Sequence, residues 1–217
     1  MKGLLRDNFY AAYANAKALM GILLLAGIAV AIYPKEGIWL RYYMLCCLVG
    51  LNFVTLQDFH KGGFSRWEQY KLTLPVTRAD IVRSCYAGHL FWMFAGGVFA
   101  SVTAGLAVLL HGFVFDLWTD VLLIYIMGMS ISLFMGAIFF PLLYARGEER
   151  KEASLMGSAL FAVAIVLGLA LLWNFLFGPR MTTAQIIGGG VIILFCAIAA
   201  YGVSYLLAVE IFHHKEY

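Results

Sequence analysis

The amino-acid sequence predicts an all-α fold, a polytopic membrane protein with six transmembrane helices forming one domain over residues 1–217. Three observations carry that expectation. Hydrophobic residues make up 63% of the chain and charged residues 12%, against roughly 45–50% and about 25% in soluble domains. The apolar residues gather into six separate runs, each near the ~20 residues that a membrane helix needs. The basic residues fall almost entirely on one side of those runs. So few charges cannot cover a soluble surface, which excludes a soluble enzyme, a nucleic-acid binder and a disordered chain.

The elements follow in order. Residues 3–14 place Leu5, Phe9, Ala12 and Ala16 at helical spacing, with Arg6, Asp7 and Asn8 off that stripe. This pattern predicts an amphipathic helix in the membrane interface; the alternative is a plain extension of the first span. The spans are expected at 16–33, 38–57, 86–110, 120–144, 154–177 and 184–209, with no cleavable signal peptide before them. The short 111–118 connection predicts a hairpin of spans three and four. Both carry small residues four apart: Gly97, Ser101 and Gly105 in one, Gly128, Ser132 and Gly136 in the other. Such stripes let helices approach closely. Pro141 should kink span four, with neighbouring groups satisfying the freed backbone. Cys46, Cys47, Cys85 and Cys196 form no C-x-x-C pair and read as apolar fillers.

Charge sets the expected orientation. The amino end, the second-to-third-span loop, the fourth-to-fifth-span loop and the carboxyl end carry twelve of the fifteen basic residues; only Lys35, Arg41 and Arg180 lie opposite. The positive-inside rule then places both termini in the cytoplasm. Within the spans, Arg41, Asp120 and Glu210 sit near ends, and His89 and His111 fall near opposite ends of span three. No chain of ionisable groups resembles the proton relay of a pump. The energy for any transport work is therefore expected from outside this chain.

The longest polar stretch is residues 58–85. Ser65-Arg66-Trp67-Glu68 has the form of a capping box. The helix after it would place Trp67, Tyr70 and Leu74 on one face. Pro75 ends that helix and forces Leu74 to be extended. Thr77 can cap a second helix with Asp80 three residues on, Val76 and Ile81 are spaced as a hydrophobic staple, and that helix is expected to run on into span three. The loop thus offers an aromatic and basic face. It reads either as a headgroup anchor or as a docking element, since Trp, Tyr and Arg dominate protein contacts.

The stretch Trp67-Glu68-Gln69-Tyr70-Lys71-Leu72-Thr73-Leu74-Pro75-Val76-Thr77-Arg78-Ala79-Asp80-Ile81-Val82 resembles the W-E-x-Y … L-P-V-x-R-x-x-I-V segment of ABC-2 type transporter permeases. Within them it is most similar to the small permeases of the staphylococcal phenol-soluble modulin exporter. The six spans, the amino-terminal interfacial helix and the large second-to-third-span loop extend the resemblance over the whole chain. The resemblance implies a half-transporter in the bacterial plasma membrane. Two permease copies, identical or related, would pair, and each would bind a cytoplasmic ABC ATPase that holds ATP and Mg. It implies that Arg66, Trp67, Glu68, Tyr70, Leu74, Pro75 and Arg78 form or orient the coupling helix against that ATPase. The 146–152 loop would be a lesser contact. The permease itself would be non-catalytic and bind no cofactor or metal. No G-x-x-x-x-G-K-[ST] phosphate loop occurs in the 217 residues, so ATP hydrolysis falls to a separate subunit. The cargo implied is an amphipathic peptide, antimicrobial or cytolytic, or a lipid-like molecule. Few polar groups occur in mid-span: Asn52, Thr55, Thr103, Ser130, Ser132, Tyr201, Ser204 and Tyr205.

Three other readings compete. A membrane-embedded protease lacks its pattern, because Gly128-Met129-Ser130 has no second glycine and no histidine base is expected opposite. A six-span substrate-capture subunit of a vitamin importer would match in size but would not need the 65–83 segment. A structural or assembly protein has no feature of its own here.

Overall fold

The computed structural model describes residues 2–33, 37–58, 77–147, 150–178 and 181–214. Among them the chain forms six α-helices: α1 (Lys2–Ile32), α2 (Ile38–Asp58), α3 (Arg78–His111), α4 (Trp118–Arg146), α5 (Lys151–Phe177) and α6 (Thr183–His213). No strand occurs among these residues. Helices α2 to α6 are long and apolar enough to cross a membrane, whereas the apolar part of α1, Ala16–Ile32, is shorter. The chain is therefore a multi-pass membrane protein. In such a setting α-helices are favoured because each satisfies its own backbone where no water can.

One boundary differs from the sequence expectation and another agrees with it. Helix α1 runs without a break from Lys2 to Ile32, so residues 3–14 are continuous with the first apolar run rather than a separate element. Helix α3 begins at Arg78, as the Thr77–Asp80 spacing predicts, and continues through the third apolar run for 34 residues. At 1.5 Å per residue that is about 51 Å, more than the ~30 Å hydrocarbon core. His89 consequently lies a third of the way along this helix and is fully buried, not at a span end.

The ends have local causes. Thr77 caps α3: its hydroxyl accepts from the Asp80 amide at 3.2 Å, and the Asp80 carboxylate accepts from the Thr77 amide at 3.4 Å. Thr182 and Gln185 make the same reciprocal box at the start of α6. Gly112, Gly147 and Gly178 follow α3, α4 and α5 with φ of 79°, 76° and 76°, a region that glycine enters without steric cost. Each donates its amide back to the fourth residue before it.

Packing divides the six helices into two halves. Helices α1, α2 and α3 pack on one another, as do α4, α5 and α6, with fewer contacts between the two sets. The 112–117 connection is the chain segment that joins them. Helix α5 is the most peripheral: its buried residues are Ser154, Leu155, Ser158, Ala162 and Val166, all in its first two thirds. Leu171, Phe175 and Leu176 at its far end are exposed, as expected for a lipid-facing helix.

Candidate functional site

Arg66, Trp67, Glu68, Tyr70, Leu74 and Pro75, and with them the Ser65 capping box and Val76, lie outside the described residues. Arg78 is the first residue of α3, and its side chain lies outside that set as well. The segment's described end is the Thr77–Asp80 box, with Ile81 buried behind it.

The small-residue positions of spans three and four meet α2 and α6 as much as each other. A methyl group built on Gly128 would lie 2.6 Å from Leu48 Cδ1 of α2. Ser132 donates to the Leu48 carbonyl at 2.9 Å and accepts from Asn52 Nδ2 at 3.1 Å. A methyl on Gly136 would lie 2.7 Å from His89 Cε1 and 3.0 Å from Tyr201 Cε2 of α6. Gly97 is looser, its added methyl 3.9 Å from Leu48 Cδ2, and Gly105 meets nothing within 4 Å. Its neighbour in the chain, Gly96, is tighter than either: a methyl there would lie 2.5 Å from the Cys47 carbonyl oxygen. Ser101 makes the direct link between α3 and α4, at 2.7 Å from Tyr125 Oη.

A second polar cluster, on α3, α4 and α6, was not read from the sequence. Each hydroxyl has one proton, so the donors can be ordered. Tyr201 donates to the Tyr86 carbonyl at 3.0 Å, which leaves it to accept from His89 Nδ1 at 3.0 Å. His89 is then the neutral Nδ1–H tautomer, with a lone pair on Nε2. Ser204 donates to the Ala137 carbonyl at 2.6 Å and therefore accepts from Tyr86 Oη at 2.7 Å. That carbonyl is the one Pro141, lacking an N–H, leaves without its helical donor. Tyr86 packs on Phe140 and Tyr201, with ring centroids 4.4 and 4.9 Å apart. His89 Nε2 and Asn52 Oδ1 are buried acceptors with no hydrogen-bond partner among the described residues.

At the opposite end of the bundle, Arg41 on α2 pairs with Asp116 in the 112–117 connection and lies 3.5 Å from Asp120 on α4. Tyr43 donates to the Leu23 carbonyl and accepts from Thr103, tying α1, α2 and α3 together. The arrangement has no nucleophile paired with a base. No group of three His, Cys, Asp or Glu residues that could hold a metal occurs among the described residues. Among the described residues, polar contacts sit at the internal helix crossings of the bundle.

Comparison with curated proteins and with solved structures finds no match. The family described as ABC-2 family transporter protein matches residues 3–213, nearly the whole chain. The chain therefore belongs to the ABC-2 transporter family and is a membrane permease component of an ABC transporter.

Proposed function

We propose that this permease is one half of an ATP-driven exporter, pairing with a second permease copy and docking a separate cytoplasmic ATPase through residues 65–83. The observation that carries this reading is the family match over residues 3–213. The 65–83 sequence supports the docking part, because its aromatic and basic residues lie in the longest polar segment on the basic side of the chain. ATP and Mg belong to the partner, and this chain binds no cofactor. Six spans are proposed, with Ala16–Ile32 as the first; its 17 residues reach the lower end of spanning length. Both termini then face the cytoplasm of a bacterial plasma membrane.

The cargo proposed is an amphipathic peptide or lipid-like molecule, of the kind handled by the phenol-soluble modulin exporter that the 67–82 segment resembles. An apolar cavity of about 340 Å³ between α4, α5 and α6 supports an apolar cargo class; Trp173, Met127 and Ile193 help line it. Sugars and ions would need converging polar ligands, which this cavity lacks.

The test is a gentle-detergent purification of the tagged chain from its native membranes, with mass spectrometry of co-purifying proteins. A stoichiometric ATPase carrying a phosphate loop is expected. Its absence across several detergents would leave residues 65–83 as a headgroup anchor. In a complex so obtained, Trp67→Ala with Tyr70→Ala should reduce ATPase retention at least severalfold; full retention would remove the docking role.

A further inference from the structure

Polar contacts between helices occur both within each half and between the halves. Those between the α1–α3 half and the α4–α6 half run along one continuous seam. Asn52 and the Leu48 carbonyl meet Ser132, Ser101 meets Tyr125, His89 meets Tyr201, and Tyr86 meets Ser204. The interior of each half is packed more extensively and has polar links of its own, Tyr43 with the Leu23 carbonyl and Thr103 in the first, Ser204 with the Ala137 carbonyl and Trp173 with the Gln185 carbonyl in the second. We infer that the two three-helix halves are separate rigid units that part along this seam, hinging at the 112–117 connection, and that His89 Nε2 becomes accessible when they do.

Four observations support it. The 112–117 connection is the chain segment between the halves, and it begins at Gly112, whose φ of 79° suits a hinge. Arg41 clamps that same end to Asp116 and Asp120, so parting is greatest at the other end, where His89 and Tyr86 lie. His89 Nε2 and Asn52 Oδ1 flank the seam as buried acceptors without donors. Such groups raise the free energy of the closed arrangement relative to one in which water reaches them. Finally, Gly128 and Gly136 leave the α4 surface smooth where Leu48 and His89 rest on it. Small residues let helices approach this closely, and a radial gap of about 0.5–1 Å already forfeits a quarter to a half of such contact energy. The inference concerns this chain alone, so it stands or falls apart from any ATPase partner.

The test is the rate of carbethoxylation of His89 by diethylpyrocarbonate, read by peptide mass spectrometry on the full chain in lipid nanodiscs. The reagent attacks an unprotonated imidazole nitrogen and is apolar enough to reach it from water or lipid. His89 should react slowly, well below exposed His111. Ser132→Ala removes two seam bonds, to the Leu48 carbonyl and from Asn52, one turn from Gly136. Tyr125→Phe removes a third about 18 Å along α3 from His89 and keeps the ring, so the fold is retained. Each should raise the His89 rate, Tyr125→Phe roughly two- to tenfold, the effect of losing one hydrogen bond on an opening equilibrium, and Ser132→Ala by at least as much. Thr103→Val, which breaks a bond inside one half, should leave the rate unchanged. An equal rise in Thr103→Val, a rise in Ser132→Ala alone, or no change in either seam variant would overturn rigid-body parting.

Discussion

His89 and Gly136 show how closely single residues are constrained. His89 has no exposed surface, its ring is stacked 5.5 Å from Tyr201, and its Cε1 lies where a Gly136 side chain would be. Gly136→Ala must therefore displace an aromatic stack rather than a flexible chain end. A loss of about 1–3 kcal/mol is expected, as for other overpacked cores. Gly105→Ala, four residues from Ser101 on the other stripe, meets open space and should not destabilise, gaining up to about 1 kcal/mol from helix propensity. Unfolding of both variants by titration with a denaturing detergent checks the contrast. Equal losses would show that Gly136 is not in contact with His89.

At the scale of elements, α4 has a proline within a helix that stays continuous from Trp118 to Arg146. A proline inside a helix forfeits the bond to the carbonyl four residues back, here Ala137, and Ser204 of α6 supplies a donor across the helix interface. The pairing is specific enough for a double-mutant cycle. Ser204→Ala should cost about 1–2 kcal/mol in the natural background, because it orphans a buried carbonyl. In a Pro141→Ala background the cost should fall by at least half, since residue 141 then donates to Ala137 itself. Additive losses in the same unfolding assay would mean that Ser204 acts mainly through Tyr86.

The whole molecule has one basic and one nearly charge-poor end, and the helix ends sort accordingly. Residues 37, 41, 114, 116 and 120 come together at one end through the Gly37–Val114 contact and the Arg41 pairs. Under the positive-inside rule that end faces outward. In a background lacking the four natural cysteines, single cysteines at Phe113 and Thr182 should react with an impermeant thiol reagent on intact cells. Cysteines at Thr77 and Gly147 should react only after permeabilisation, and the reverse pattern would invert the proposed orientation. Native mass spectrometry should find two permease chains in the complex with its ATPase; a single chain at saturating ATPase would contradict pairing.

Class, helix content and loop positions were legible in the sequence because they depend on local composition. Runs of apolar residues must be helical in lipid wherever they occur, and Thr77 with Asp80 marks a helix start within four residues. The Thr182–Gln185 box was equally local and could have been found by the same spacing rule. The family resemblance rested on residues 67–82, and the match over residues 3–213 agrees with it at the level of ABC-2 transporters. The continuity of α1 was not legible, because hydropathy marks where a helix turns apolar, not where it begins.

Partner choice belonged to the tertiary structure. The short 111–118 connection suggested a hairpin of spans three and four, and Gly136 does lie against His89 of α3, yet Gly128 and Ser132 lie against Leu48 of α2, and Gly136 also meets Tyr201 of α6. A stripe of small residues states that something approaches closely and says nothing about what. That is decided by the surfaces of helices distant in sequence, whose complementarity no local window contains. The same holds for Pro141 and Ser204, 63 positions apart by their numbers. By itself the sequence determined a bundle of long apolar helices with a basic, motif-bearing side. Only their packing decided that the bundle has two halves, that polar groups line the surface between them, and that a histidine is buried there.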